Sequence, residues 1–305
     1  MNAVTATNLT KTYSGEPALN ALNFEVQEGE LFGFIGPDGA GKTTLFRILT
    51  SLLLPDKGEA QVLGLDVVTD YRQLRRKYGY MPGKFSLYQD LTVEENLHFF
   101  ADIFGTTVAE NYDTIRDIYG QLEPFRTRRA AELSGGMKQK LALSCALVHQ
   151  PKILFLDEPT TGVDAVSRVE FWDMLKKLQS GGLTILVSTP YMEEASRCDR
   201  IALIDRGTIL DTDTPAGISA RFNHPLYALK VKAEQQYSLL KKLRKYAYTR
   251  SVFMFGEYLH YTDLRENFQP EWLRQDLQTF GFDEIEIKLI SPGVEDRFME
   301  LMESG

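Results

Sequence analysis

Residues 33–45 read Gly33-Phe34-Ile35-Gly36-Pro37-Asp38-Gly39-Ala40-Gly41-Lys42-Thr43-Thr44-Leu45, and the pattern Gly36-x-x-x-x-Gly41-Lys42-Thr43 inside them decides the fold. Glycines at this spacing let successive backbone N–H groups curl around phosphate oxygens, and the N-terminus of a following helix adds positive potential. A lysine placed here reaches the β- and γ-phosphates of a nucleoside triphosphate, and the hydroxyl after it ligates Mg²⁺. Gly36, Pro37, Asp38, Gly39, Ala40, Gly41, Lys42, Thr43 and Thr44 are therefore the expected ATP-binding residues, with Thr43 also on the metal.

The pattern carries that meaning only between a strand and a helix, and both are expected here. From Ala3 to about Ile35 the chain reads as short strands separated by the turns Ser14-Gly15-Glu16-Pro17 and Gln27-Glu28-Gly29-Glu30. Beyond the loop, Leu45, Ile48, Leu49 and Leu52 fall at i, i+3, i+4 and i+7, which predicts one buried helix face closed by Pro55-Asp56. Ile153–Leu156 and Thr184–Val187 are short apolar runs, each after a helical stretch, as in strands buried on both faces of a mostly parallel sheet.

Ile153-Leu154-Phe155-Leu156-Asp157-Glu158 sets two carboxylates at the end of such a strand, where open α/β sheets bind ligands. Asp157 is expected to hold Mg²⁺ through water, and Glu158 to orient and deprotonate an attacking water. Thr92-Val93-Glu94-Glu95 is a capping box, and Leu97, Phe100, Ala101 and Phe104 continue it as an amphipathic helix. A helical insertion is thus expected from about Leu91, reaching about residue 150 with the helix opened by Leu133-Ser134-Gly135-Gly136-Met137-Lys138-Gln139.

A boundary falls near Asn223-His224-Pro225, giving residues 1–222 and 223–305 as two domains. The second reads β-α-β-β-α-β plus a last helix, the order of a small α+β ferredoxin-like domain. Residues 225–305 carry 11 Lys and Arg against 13 Asp and Glu, and no aromatic RNA-binding motif. The whole chain has a formal net charge of -8, which argues against a nucleic-acid partner. The two cysteines, Cys145 and Cys198, form no CxxC pair and are expected as reduced thiols. No signal-peptide core is visible at the start, and no apolar run reaches the roughly 18 residues of a spanning helix, so a membrane role needs a separate membrane partner.

With the phosphate loop, the LSGGMKQ run and the Asp157-Glu158 pair in this order, residues 1 to about 222 resemble the nucleotide-binding subunits of ABC transporters. The resemblance implies an ABC-type ATPase fold with a helical insertion. It implies that Ser134, Gly135 and Gly136 face the γ-phosphate held by another subunit's loop, in a homodimer or in a heterodimer with a second ABC ATPase. It likens Tyr13 to the aromatic that stacks on adenine, and Thr161-Gly162-Val163-Asp164 to the loop that contacts the opposite site. The implied function is ATP hydrolysis by a cytoplasmic subunit, peripheral on the membrane, that drives a transmembrane permease. The stretch GYMPGKFSLYQDLTVEENL and the closing SPGVEDRFMELM look most like ABC-2-type and multidrug-efflux exporters.

Two departures stand against the family pattern. Gly83 follows Tyr80-Met81-Pro82 where a metal-contacting Gln is usual, and Pro190 follows Ser188-Thr189 where a His on the γ-phosphate is usual. Asp38 stands where Asn or Ser is more frequent. A degenerate subunit that binds ATP as a switch is therefore an alternative, as is a soluble, non-transport ABC ATPase. Phe85, Leu87 and Tyr88 are expected to offer apolar area to the permease.

Overall fold

The computed structural model describes residues 1–84, 86–282 and 284–304. The chain divides into two compact units, Met1–Pro215 and Ala216–Gly305.

The first unit begins with a hairpin, β1 (Asn2–Tyr13) and β2 (Glu16–Gln27). Its turn residues Ser14 and Gly15 have φ of 51° and 92°, the positive pair that matches the right-handed twist of a two-residue hairpin. These strands are 12 residues each, longer than their sequence suggests. Register shifts between Asn2 and Thr12 break up the alternation by which length is read from sequence. β3 (Leu31–Ile35), wholly buried, leads into the glycine loop and α1 (Lys42–Leu49). Leu45, Ile48 and Leu49 are buried as expected, but Leu52 lies beyond the helix and is 53% exposed. The helix stops because the Thr50 hydroxyl bonds back to the Phe46 carbonyl at 2.7 Å and Ser51 turns to φ 54°.

β4 (Lys57–Val62) and β5 (Leu65–Asp66) complete a four-stranded antiparallel sheet in the order β2-β1-β4-β5. A single turn, α2 (Tyr71–Leu74), precedes β6 (Tyr78–Met81). The insertion follows with α3 (Val93–Ile103), α4 (Tyr112–Tyr119) and α5 (Gly135–Leu147). Thr92 and Glu95 cap α3 reciprocally, at 3.1 and 2.8 Å. Then come β7 (Ile153–Asp157), α6 (Ala165–Ser180), β8 (Thr184–Thr189), β9 (Arg200–Asp205) and β10 (Thr208–Asp213). The six-stranded sheet runs β10-β9-β3-β8-β7-β6, parallel except for the β9–β10 pair. Its core is aromatic at the centre: Phe46 on α1 meets Phe34 at 5.9 Å and Phe155 at 6.0 Å, both edge-on. β3, β7 and β8 are buried along their whole length, so the chain segments leaving their carboxyl ends are held on a rigid base.

The second unit begins within α7 (Pro215–Ala220). It contains β11 (Leu226–Lys230), α8 (Gln236–Leu243), β12 (Thr249–Phe255), β13 (Tyr258–Asp263), α9 (Pro270–Thr279), β14 (Glu286–Ile290) and α10 (Val294–Ser304). The sheet is antiparallel in the order β12-β13-β11-β14. Leu239, Leu243, Leu273 and Leu277 of α8 and α9 pack with Leu229, Leu259 and Tyr261 of the sheet.

Candidate active site

The glycine loop is fixed at both ends by neighbouring backbone. Gly36 donates its N–H to the Thr189 carbonyl at 3.2 Å, and a Cβ at Gly36 would stand 1.9 Å from the Ile204 carbonyl, so only glycine fits. Gly41 has φ 102°, and a Cβ there would stand 2.4 Å from the Ala18 carbonyl of β2. Gly41 is also the N-cap of α1 and gives no side-chain bond to its first N–H groups, which leaves the positive end of the helix to an anion. Asp38 and Gly39 are exposed.

Lys42 is 3% exposed. Its ammonium donates to the Gly36 and Pro37 carbonyls at 2.8 and 2.9 Å, and lies 3.4 Å from a Glu158 carboxylate oxygen. The parallel register aligns the strand ends that make this possible: Ile35 pairs with Thr189, and Asp157 with Ser188. Asp157, buried, accepts from the Ser188 hydroxyl at 2.6 Å. Glu158 takes φ 50°, uncommon for a residue with a side chain, and donates its N–H toward the Ser188 carbonyl and hydroxyl at 3.0 and 3.1 Å. That bend swings the carboxylate off the end of β7 toward Lys42. Tyr80, on the strand beside β7, is pushed up to about 12 by burial and by the Asp157 charge, so its hydroxyl stays protonated.

Thr43 opens α1 with a hydroxyl, and Asp157 supplies one carboxylate. Among the described residues no group of three or more His, Cys, Asp or Glu is placed to hold a metal by itself. One hydroxyl and one carboxylate are hard oxygen donors, the set that suits a Mg²⁺ shared with nucleotide phosphates.

The two departures sit against this centre. A Cβ on Gly83 would lie 3.1 Å from the Asp157 carbonyl oxygen and 3.8 Å from the Glu158 Cβ. Pro190 directly follows Thr189, whose carbonyl holds Gly36, and offers neither a side-chain nor a backbone donor.

Ser134 caps α5, its hydroxyl accepting from the Met137 N–H at 3.3 Å. A Cβ on Gly135 would lie 3.3 Å from the Gly162 carbonyl, and one on Gly136 2.8 Å from the Ser167 hydroxyl. The LSGG loop therefore packs on the Thr161–Asp164 segment and the start of α6. Asp164 caps α6 through the Ser167 N–H at 3.0 Å, a bond that holds its carboxyl below the usual range. Tyr13 closes β1, is 45% exposed, and belongs to the hairpin whose Ala18 carbonyl abuts Gly41. Thus Gly36, Lys42, Asp157 and Glu158 come together. Among the described residues no hydrogen bond or ion pair ties Ser134, Gly135 or Gly136 to the glycine loop.

Two residues were missed by sequence reasoning. Ser188 bonds both Asp157 and Glu158, and its only signal is a hydroxyl in an otherwise buried apolar run. Glu194 is a buried carboxylate between Thr160 and Thr189, with no signal in its spacing.

A cavity of about 330 Å³ opens between β6, α3 and α5, lined by Leu52, Tyr80, Pro82, Leu87, Phe100 and Ile103 among others. Of the three residues expected to face a permease, Tyr88 is 50% exposed, Leu87 is buried, and Phe85 lies outside the described residues. Leu87 packs inward, so its apolar area serves the protein's own interior more than a partner's.

Residues 19–161 match the family model described as ABC transporter. The chain is 38% identical over 303 residues to the probable multidrug ABC transporter ATP-binding protein YbhF of Escherichia coli, covering 98% of this chain and 52% of that protein. The chain thus spans about half the length of these first relatives. It is 37% identical to the Nod factor export ATP-binding protein I of Rhizobium etli, over 70% of this chain and 69% of that one. A bacterial ABC transporter cassette, MJ0796, solved as a dimer, superposes with a TM-score of 0.63 at 28% identity, over 69% of this chain and 98% of the cassette. With the phosphate loop, the carboxylate pair and the LSGG helix placed as above, the chain belongs to the family of ABC transporter ATP-binding proteins.

Proposed function

We propose that this chain binds MgATP and hydrolyses it to drive a membrane permease that works as an exporter. The observation that carries the reading is the Lys42–Glu158 approach at 3.4 Å, at the end of strands that also present Asp157. In this reading the loop N–H groups and Lys42 hold the phosphates. Thr43 and Asp157 hold Mg²⁺, which supplies neutralisation of developing charge on the phosphate oxygens when bound. Glu158 accepts a proton from the attacking water, with its backbone pinned by Ser188. Tyr13, exposed on the hairpin beside the loop, offers its ring to the adenine.

Ser134, Gly135 and Gly136 act on the nucleotide of a second subunit, supported by the dimer in which the MJ0796 cassette was solved. The name of the Nod factor export relative, beside that of a multidrug transporter relative, supports export as the direction. Among the described residues no helix is long and apolar enough to cross a membrane, which agrees with a peripheral subunit on the cytoplasmic face and a separate permease. The cavity beside Tyr80, lined by Leu52 and Ile103, both more than half exposed, together with Tyr88, half exposed and next in sequence to the lining residue Leu87, is the surface that fits the permease. For residues 223–305 the sheet order β12-β13-β11-β14 supports a ferredoxin-like accessory domain.

Gly83 and Pro190 favour a second reading, in which the site binds ATP firmly and turns it over slowly as a switch. Phosphate release from MgATP by the purified chain, beside Lys42→Ala, tests both. Release and nucleotide affinity that both fall in Lys42→Ala fit the main reading; tight ATP binding with negligible release by the wild type fits the switch.

A further inference from the structure

Glu194 is 3% exposed, and a carboxylate so placed is costly unless its oxygens are satisfied. One oxygen accepts from the Thr160 hydroxyl at 2.8 Å and has the Arg168 Nε at 3.7 Å; the other accepts from the Thr189 hydroxyl at 2.5 Å. Thr160 lies two residues past Glu158, on the segment that runs to Asp164 and carries Gly162 against the LSGG loop. Thr189 lies beside Pro190, and its carbonyl holds Gly36. The Tyr191 N–H also bonds the Thr189 hydroxyl at 3.1 Å, and Arg168 of α6 covers the Tyr191 ring at 4.2 Å. An apolar side chain would fill this space without a charge to bury, but it could not join the two hydroxyls.

We propose that Glu194 is a positioning residue that ties the Glu158–Asp164 segment to the Thr189–Pro190 strand end, so that both move as one body when the second subunit's LSGG loop engages. This rests on the assignment of Glu158 as the base given above. Glu194 touches no reacting atom in this scheme; it acts through Thr160 and Thr189. Ser188 already holds Glu158 at the strand itself, and the Glu194 tie extends that hold outward to Thr160 and Thr189.

The test compares wild type, Glu194→Ala, Glu194→Gln and Thr189→Val by kcat and KM for ATP, and by amide exchange at Val163 and Tyr191. Val163 donates to the Thr160 carbonyl at 3.2 Å, so these two amides report the two tied segments. Glu194→Ala should lower kcat about 10-fold or more, as misplacement of a catalytic group does, while KM stays within about 2-fold because the Thr189 carbonyl that holds Gly36 is backbone and the Lys42 bonds to the loop are kept. Both amides should exchange faster together. Glu194→Gln, which can still bond both hydroxyls, should recover most of the rate. Thr189→Val, nearly isosteric, should repeat the kcat loss even if the alanine variant does not fold. Unchanged kcat in Glu194→Ala or Thr189→Val, equal losses in kcat and affinity, or faster exchange at one amide alone would overturn the proposal. A wild type without hydrolysis counts against the hydrolytic reading, and the paired amide exchange then decides the tie on its own.

Discussion

Gly83 stands against the end of β7, so close that a Cβ there would lie 3.1 Å from the Asp157 carbonyl oxygen. The glycine is therefore packed as well as chemically bare. A glutamine at this position would have to press the Asp157 strand end aside by a few tenths of an ångström before its amide could help. Pro190 already carries a side chain and is half-buried. Loss of a preorganised donor commonly costs about 10²-fold, so wild-type turnover should be slow. Pro190→His should raise kcat, whereas Gly83→Gln should leave it unchanged or lower it. Steady-state phosphate release on the two single variants checks this, and a clear gain from Gly83→Gln alone would contradict it.

The packing of Gly135 and Gly136 onto Gly162 and Ser167 leaves the LSGG loop without a bond to its own glycine loop among the described residues. If it serves a second subunit, two inactive variants should repair each other. Lys42→Ala and Gly135→Asp should each be inactive alone. Mixed at equal concentration and pairing at random, about half the dimers are heterodimers, each with one of two sites pairing an intact Lys42 with an intact Gly135, so about a quarter of wild-type activity should return. No recovery on mixing, with heterodimers shown to form, would rule out action across an interface.

Ile103, which lines the cavity of about 330 Å³, is 59% exposed, and Tyr88, next in sequence to the lining residue Leu87, is 50% exposed. If the proposed docking to a permease holds, Ile103→Glu with Tyr88→Ala should release the chain from the membrane fraction when it is co-expressed with a candidate permease. Thermal stability and ATP affinity should stay near wild type, because neither side chain is buried. Leu87 is no substitute target, since its loss would open the interior. Unchanged membrane association would move the docking surface elsewhere.

Much of the fold was legible because its signals are local. The glycine spacing, the i, i+3, i+4 pattern of Leu45, Ile48 and Leu49, and the Thr92–Glu95 box each act within a few residues, and each forms as read. Leu52 failed because the helix ends through a Thr50 back-bond and a positive φ at Ser51, which no periodicity reports. The long β1–β2 hairpin was read as short strands because bulges disturb its alternation. At the site, Lys42, Asp157 and Glu158 were legible from motif and position. Ser188 and Glu194 were not, because their partners stand across the sheet: Asp157 is 31 residues from Ser188, and Thr160 is 34 from Glu194. Contacts of that range exist only once the strand order is known.

The central claim is that Glu158, bent to φ 50° at the end of β7 and 3.4 Å from Lys42, is the base that activates water. Glu158→Gln keeps the shape and removes the base. Phosphate release and ATP affinity measured on the same preparation should separate: the rate falls at least about 10²-fold while affinity is retained. Turnover equal to wild type in Glu158→Gln would contradict the account.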